Sequence, residues 1–389
     1  MIHIALVGAG AVAATHVDAF LQSSDLCCIT AICNRHIEKA KVLIQNKSLS
    51  EARAFSSLEC ALKEREDNAL RIDAVAICTA PGLHAKEAIL AMEHGLHVLV
   101  EKPMANSLEE CDAMIQASQK NNVLLSVICQ LRFTTAVQRV KHLLQTKQFG
   151  SLHYAVVDSL WWRGEHYHDP AWRGTWEKEG GGVLTSQALH HLDLLQYLIG
   201  RPESVSASMG NVAHPNTECE DVVTAVLHYP DAYVRVSASL TAQGEPQSLR
   251  FYCENGMLSI PWKPAAAKAR SNGYPEDAPE LLAEIDQAFS SLPALTLENH
   301  AGQVRNFLLA ILGKEPLNID GMEGRTVIEL ITAIYHAALT GARVSLPLEK
   351  NDPLYTLEGK IKNLPHFHEK SVSLETTAAQ QITFSKLSQ

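Results

Sequence analysis

The chain begins with the apolar run Ile2-His3-Ile4-Ala5-Leu6-Val7, which ends in Gly8-Ala9-Gly10-Ala11-Val12-Ala13. A G-x-G-x-x-A turn between a strand and a helix restricts the backbone severely. The first glycine allows the tight turn, the second lets the chain approach a pyrophosphate, and a small residue at Ala13 lets helix pack closely on strand. The helix N-terminus then offers free N–H groups to an anion. Small residues at such a turn can also serve packing alone, so the surrounding pattern matters. Over the first 130 residues, strand-like runs at Ile2–Val7, Ile29–Cys33, Ala74–Cys78, His97–Val100 and Leu124–Cys129 alternate with helix-like stretches at Thr15–Leu21, Ile37–Gln45, Ala85–His94 and Leu108–Asn121. Such βα alternation gives a parallel sheet covered on both faces, with ligands at the carboxyl ends of its strands.

A helical stretch, Val137–Gln148, leads out of this unit, and from about Ser151 the texture changes. Strand-like runs follow closely at Leu152–Leu160, Val205–Val212, Thr224–Tyr229, Tyr233–Leu240, Leu249–Glu254 and Met257–Ile260, with a hairpin signal at Asn255-Gly256. Helices are expected at Val183–Ile199, Val304–Leu312 and Gly324–Thr340. Strands so close in sequence favour a large, open, mostly antiparallel sheet in an α+β domain. The expected division is 1–130, 131–348 and a polar tail, 349–389, to which the sequence assigns no role. At 389 residues and 46% hydrophobic there is ample chain for such cores. A net charge of −10 lacks the basic footprint of nucleic-acid or anionic-membrane binding. Nine cysteines, an odd number with no C-x-x-C pair, point to reduced thiols in a cytoplasmic protein. No apolar run approaches the roughly 18 residues of a membrane span, and the strand starting at Ile2 leaves no room for a signal peptide.

Several residues carry chemistry. The second strand ends Cys33-Asn34-Arg35 where an acid would hold a free ribose 2′-hydroxyl; Asn34 can accept that bond, Arg35 can pair with a 2′-phosphate, and Arg35 can equally be a solvated charge. The fourth of these strands runs into Glu101-Lys102-Pro103, which puts an ammonium where a nicotinamide would lie; the plainer reading is a surface lysine before a helix-starting proline. A cis Lys-Pro bond would fix the direction of that ammonium. Gly180-Gly181-Gly182 precedes a helix on which Ser186, His190, Asp193 and Tyr197 share a stripe, with Leu184, Ala188, Leu192, Leu195 and Ile199 on apolar sides. His190 has the side chain suited to proton transfer near neutrality, although a buried histidine is often only a satisfied structural residue. The glycines would allow close approach of backbone to a ligand. Between these landmarks lie Trp161-Trp162-Arg163, Tyr167-His168 and Trp172-Arg173-Gly174-Thr175-Trp176, holding four of the five tryptophans. Aromatic faces with Arg and Tyr donors suit a polyhydroxylated ring; an aromatic mini-core under a long loop is the alternative. His166, His168, His190, His191 and Asp193 do not form a regular metal-ligand set, and no metal is expected.

Taken together, these landmarks resemble the Gfo/Idh/MocA oxidoreductases, the group of glucose-fructose oxidoreductase and inositol dehydrogenase. The resemblance rests on Gly8-Ala9-Gly10 with His16, Cys78-Thr79-Ala80-Pro81-Gly82-Leu83-His84, Glu101-Lys102-Pro103, Gln130-Leu131-Arg132-Phe133, Gly180-Gly181-Gly182 with His190 and Asp193, and the late Gly324-Arg325, Tyr335, Gly341 and Leu346-Pro347-Leu348. It implies an N-terminal Rossmann domain, a C-terminal α/β domain whose open sheet often joins subunits into a homodimer or homotetramer, a tightly held NAD or NADP, and a sugar or cyclitol substrate. By the same resemblance Gly8, Ala9, Gly10, Ala11, Val12, Ala13, Asn34, Arg35, Cys78, Thr79, Ala80, His84, Glu101, Lys102 and Gln130 would surround the cofactor. Lys102, Arg132, Tyr167, Trp172, Arg173, Gln187, His190, His191 and Asp193 would surround the substrate. Lys102 would hydrogen-bond the reacting oxygen and His190 would exchange its proton. Two departures stand out. Ser186 occupies the position, four residues before the histidine, where many members have Asp, which leaves Asp193 as the expected orienter of His190. Ala80 stands where Pro is common.

The expected function is hydride transfer between NAD(P) and a secondary hydroxyl or ketone of a sugar, sugar derivative or inositol, with a slight lean to NADP from Asn34-Arg35. The rivals are a reductase of a non-sugar carbonyl or dihydrodiol on the same scaffold, against which the Trp/Tyr/Arg segment argues, and a non-catalytic dinucleotide-binding regulator, which has no use for Lys102 and His190 together.

Overall fold

A computed structural model describes residues 1–375 and 385–388. Among them, the first sheet contains β1 (Ile2–Val7), β2 (Cys27–Cys33), β3 (Arg53–Phe55), β4 (Ala74–Ile77), β5 (His97–Val100) and β6 (Leu125–Val127). All pairings are parallel and the order is β3-β2-β1-β4-β5-β6. Helices α1 (Ala13–Leu21), α2 (Ile37–Asn46), α3 (Leu58–Glu66), α4 (Pro81–Glu93) and α5 (Leu108–Asn121) connect them. Ile4, Ala5 and Leu6 are completely buried, the continuous apolar signature of a parallel strand covered on both faces. Strand order reverses between β1 and β4, which opens a crevice at their carboxyl ends.

The chain continues through α6 (Thr135–Gln145) to β7 (Leu152–Leu160), then a π-helical turn (Leu184–Ala188) running directly into α7 (Leu189–Ile199). Strands β8 (Ser204–Gly210), β9 (Val222–His228), β10 (Tyr233–Ser239), β11 (Gln247–Cys253) and β12 (Gly256–Ile260) follow, then a small ribbon of β13 (Ala267–Ala269) and β14 (Pro275–Asp277). Helices α8 (Pro279–Ser291), α9 (Asn299–Ile311) and α10 (Gly321–Thr340), β15 (Val344–Ser345) and α11 (Leu357–Asn363) complete the regular elements used below. The second sheet runs β12-β11-β7-β10-β9-β8-β15, antiparallel except for the β7–β10 pair. Period-2 alternation sends Val223, Ala225 and Leu227 inward, as it does Val234, Val236 and Ala238, while Tyr154, Val226, Tyr233 and Tyr252 face out. Helices α7 and α10 cover the inner face. In the hairpin expected at Asn255-Gly256, Glu254 and Asn255 form the turn and Gly256 pairs with Cys253.

The expected boundary at residue 130 separates the two sheets but not their packing. Val304, Phe307 and Leu308 of α9 return to the N-terminal sheet and pack with Ile2, Ile4, Val17 and Phe20. The other face of that sheet shares one apolar core with α10 and the large sheet, from Val7 and Val100 to Ile331 and Val157. Residues 349–375, which show no periodicity, are also packed: Leu354 and Leu364 are buried, and Leu374 bridges to Pro170. No helix among the described residues is long and apolar enough to cross a membrane. All nine cysteines are unpaired.

Candidate active site

The turn after β1 is shaped by contact on one side and space on the other. Gly8 has φ +100°, and a Cβ there would lie 2.6 Å from the Cys78 carbonyl oxygen, so no side chain fits. A Cβ on Gly10 would meet nothing within 4 Å. The α1 N-terminus follows, with no side-chain cap and no acid in its first turn; Ala13 N and Thr15 N make turn bonds to the Gly10 and Val12 carbonyls, and the helix end as a whole suits an anion. Ala13 is buried, as close helix–strand packing requires. These features fit a dinucleotide pyrophosphate. Asn34, expected to accept from the ribose, is engaged within the chain: its Oδ1 accepts from Ala9 N (3.1 Å) and its Nδ2 donates to the His36 carbonyl (2.9 Å), so it pins the glycine turn. Arg35 beside it is exposed. Thr79 and Ala80, half-buried, begin α4 across the crevice, and Thr79 Oγ1 donates to Glu87 at 2.5 Å. Cys78 and His84 lie beneath. His84, expected near the cofactor, places its ring nitrogens 2.8 Å from the Pro103 carbonyl and 3.0 Å from the Thr79 carbonyl and so ties two loops together.

Lys102 leaves β5 beside a buried cluster. Glu101 accepts from His16 Nε2 (2.7 Å) and from its neighbour's backbone, Lys102 N (3.1 Å), with His300 Nε2 at 3.8 Å. This carboxylate, expected near the cofactor, therefore organises the base of the loop. The donor atoms of His16, Glu101 and His300 lie within 4.8 Å of one another, but the 2.7 Å contact is a hydrogen bond and leaves no room for a cation between its partners. The Lys102–Pro103 peptide is cis. The Lys102 ammonium donates to the Ser186 carbonyl at 2.8 Å. That carbonyl belongs to the π turn, where the i→i+5 pattern takes carbonyl groups off the α-helical ladder. Four residues on, the His190 side chain makes no hydrogen bond among the described residues, and its Nδ1 is buried without a partner. Burial, then the Lys102 charge, hold His190 well below the ordinary histidine range, so the ring is neutral at physiological pH. Burial also lowers Lys102. Gln130, after β6, carries a second orphaned buried atom, Oε1.

The triple glycine is packed against protein, not held open for a ligand. A Cβ on Gly182 would lie 1.9 Å from the Glu220 carbonyl oxygen, one on Gly181 2.2 Å from Tyr335 Oη, and one on Gly180 2.7 Å from Asn106 Oδ1. The Glu220 carboxylate accepts from Gly182 N (3.0 Å), Leu184 N (3.1 Å) and Tyr335 Oη (3.0 Å), capping the segment that carries His190. Burial pushes Glu220 up to about 7.

The aromatic segment divides in two. Trp161 and Trp176 are core side chains, as the mini-core alternative requires. Tyr167, Trp172 and Arg173 form the other part: Arg173 stacks 4.2 Å from the Tyr167 ring and 4.3 Å from the Trp172 ring, and donates to Tyr167 Oη (2.7 Å) and Glu179 Oε1 (3.2 Å). Gln187 Nε2 donates to the same tyrosine oxygen at 3.1 Å, which joins this group to the π turn. Glu179 also accepts from Gly174 N (2.6 Å); burial raises its pKa, and its charge acts on Lys102. Sequence reasoning missed Glu179, although an acid immediately before three glycines was there to be noticed.

Three expected ligands face inward instead. Asp193 does not orient His190: both carboxylate oxygens are taken by Arg132, at 3.0–3.1 Å from Nε and 2.6 Å from Nη2, while Arg132 Nη1 reaches Glu323 at 2.6 Å. Arg132 and Asp193 thus form a buried ion pair, not a substrate contact. His191 is completely buried, bonded to Ser159 Oγ at 2.8 Å and edge-on to Trp161. Exposed His166 pairs with Asp169 and His168 is buried, so the five residues weighed as metal ligands do not converge.

Two family models match the chain: the oxidoreductase family with an NAD-binding Rossmann fold over residues 2–129, and the Gfo/Idh/MocA C-terminal domain over residues 137–259. The 2,7-anhydro-N-acetylneuraminate hydratase of Mediterraneibacter gnavus is 31% identical over 198 residues, 46% of this chain and 51% of that protein. The D-glucoside 3-dehydrogenase of Escherichia coli is 22% identical over 366 residues, 89% of this chain and 97% of that protein. The chain spans about half the length of the first curated relatives it matches, 51% and 42%. Among solved structures, the WlbA dehydrogenase of Bordetella pertussis, in complex with NADH and UDP-GlcNAcA, superposes with a TM-score of 0.74 at 29% identity, covering 90% of this chain and 99% of that one.

Proposed function

Because the chain belongs to the Gfo/Idh/MocA oxidoreductase family, we propose that it is an NAD(P)-dependent oxidoreductase moving a hydride between the nicotinamide and a secondary hydroxyl or ketone carbon of a sugar, sugar derivative or cyclitol. The observation that carries this reading is the Lys102 ammonium anchored on the Ser186 carbonyl, one turn before an unpartnered, neutral His190. A nicotinamide dinucleotide held by its pyrophosphate at the Gly8–Ala13 turn would supply the hydride acceptor or donor. The protein's own residues do the rest. One Lys102 N–H is fixed by Ser186, and two remain for the reacting oxygen, whose developing charge they stabilise in a cleft sheltered from water. His190 takes the hydroxyl proton during oxidation and returns it during reduction. Tyr167, Trp172 and Arg173 offer ring faces and donors to the apolar faces and polar rim of a sugar ring, and Gln187 links them to the His190 segment.

Gly8 through Ala13, with Thr79, Ala80 and Gln130, would hold the cofactor. With Asn34 engaged on the glycine turn, exposed Arg35 is the side chain left to meet the adenosine ribose, which supports NADP. Half-exposed Tyr154, Tyr233 and Tyr252 on the outer sheet face support a homodimer or homotetramer, and nine unpaired thiols support a cytoplasmic setting. The test is to denature the purified protein, identify any released nucleotide, and screen polyols, aldoses, sugar acids and nucleotide sugars for reduction of NAD or NADP. Reduction by at least one sugar is the expected result. A protein that binds neither nucleotide, or that reduces cofactor only with dihydrodiols, contradicts it.

A further inference from the structure

Lys360 is a buried cation that no role described above requires. It lies on α11, beyond both regions matched by the family models, and is 1% exposed. Its Nζ donates to the Asn106 carbonyl at 2.8 Å, and among the described residues no carboxylate oxygen forms an ion pair with it. Burial pulls it down to about 8, against the charges of Cys111, Glu110, Glu220 and Asp352. Burying an ammonium is costly, and a methionine of similar length would fill the space without that penalty. A buried lysine is therefore informative about what it holds.

What it holds is the junction between the two walls of the site. Asn106 ends the stretch that follows Lys102. Its backbone N–H donates to Glu110 (2.9 Å) and its Nδ2 donates to the Glu177 carbonyl (2.9 Å). Its side chain and Cα crowd Gly180, where a Cβ would come within 2.7–3.1 Å of them. Asn106 thus joins the Lys102 loop to the turn that starts the His190 segment. Glu220 clamps the same turn from the other side, through Gly182 N and Leu184 N. Beyond α11 the chain runs along the aromatic wall: Trp176 Nε1 donates to the Pro365 carbonyl (3.1 Å), Phe367 N to Glu218 O (3.0 Å), and Leu374 is bonded to Asp169 and Ala171.

We propose that Lys360 is a positioning residue of the active site: by holding the Asn106 carbonyl it fixes the spacing between the Lys102 loop and the Gly180–Gly182 turn, and with it the placement of Lys102 against His190. The C-terminal segment is in this respect part of the catalytic unit. The proposal rests on the Lys102–His190 pair being the reactive one, so its test includes a readout that needs no substrate. In full-length protein, Lys360→Met and Lys360→Leu are compared with wild type for thermal midpoint, cofactor affinity, kcat, KM and the His190 pKa followed by NMR of labelled imidazole. Expected is an unchanged or higher midpoint, unchanged cofactor affinity and KM, a kcat lowered about tenfold or more, and a His190 pKa moved up towards 6.5 as Lys102 shifts away. An intact fold with kcat and His190 pKa both unchanged overturns the proposal. So does a loss of kcat that only follows a lowered midpoint and lost cofactor binding, which is a structural role. If no sugar is turned over by wild type, the functional reading fails separately, and the His190 titration still decides the role of Lys360.

Discussion

The Lys102 ammonium and the Ser186 carbonyl meet at 2.8 Å across 84 residues of sequence. This bond crosses the cleft between the two sheets and sets a cation against the turn that carries His190. At this position, where many members of the family are expected to have Asp, Ser186 offers Lys102 its backbone oxygen, and its hydroxyl donates to the Gly182 carbonyl (2.8 Å).

The pH dependence of oxidation follows from these two groups. His190 must be neutral to accept a proton, and its pKa is depressed by burial and by Lys102, so activity is present above that depressed value and lost only as pH falls through it. Lys102 must be charged, and burial lowers its pKa, so activity is lost on the alkaline side earlier than an ordinary lysine would require. A kcat/KM profile should show an acid limb well below 6.5. A limb at or above 6.5 contradicts the assignment of His190 as base.

Breaking the Arg132–Asp193 pair should cost stability. Asp193→Asn leaves Arg132 buried without its bidentate partner, a loss of about 3–5 kcal/mol, whereas the double variant Arg132→Met with Asp193→Leu should recover most of it. Chemical denaturation measures both. A change below about 1 kcal/mol in Asp193→Asn, together with a displaced acid limb, would return Asp193 to His190.

Two glycines should respond in opposite ways. Gly182→Ala drives a Cβ to 1.9 Å from the Glu220 carbonyl and should destabilise the protein by about 3 kcal/mol or more. Gly10→Ala meets only open space, so the apoprotein's thermal midpoint should hold while cofactor affinity falls about tenfold or more. Calorimetric melts and cofactor titration separate the two. Full cofactor affinity in Gly10→Ala contradicts the pyrophosphate placement.

Arg35→Ala should weaken NADP(H) about tenfold and leave NAD(H) unchanged, as read from dissociation constants. Equal affinities for both cofactors in wild type and variant would assign Arg35 to the solvated surface.

Much of this architecture was readable because buried parallel strands are continuous apolar runs: β1 and β5 occupy the expected residues. Strand β3 escaped notice since Arg53-Ala54-Phe55 is too short for any periodicity, and the mostly polar α3 announced itself only through its Ser57 cap. The segment 183–199 reads as one continuous helix because apolar spacing does not betray a π turn, yet that turn supplies the Ser186 carbonyl. Asp193 misled for a related reason. Helical spacing aligned it with His190, but its partner, Arg132, lies 61 residues away. Glu220 and Lys360 are buried by distant chain and carry no local pattern, and Glu179 offered only its place immediately before three glycines.

Replacing Lys102 by methionine tests the central claim most directly. Once a substrate is in hand, Lys102→Met should lower kcat about 10²- to 10³-fold, the loss expected when a donor to the charged oxygen is removed, while the cofactor dissociation constant stays at its wild-type value. A variant that still turns over within about tenfold of wild type, with cofactor bound as before, removes Lys102 from the chemistry.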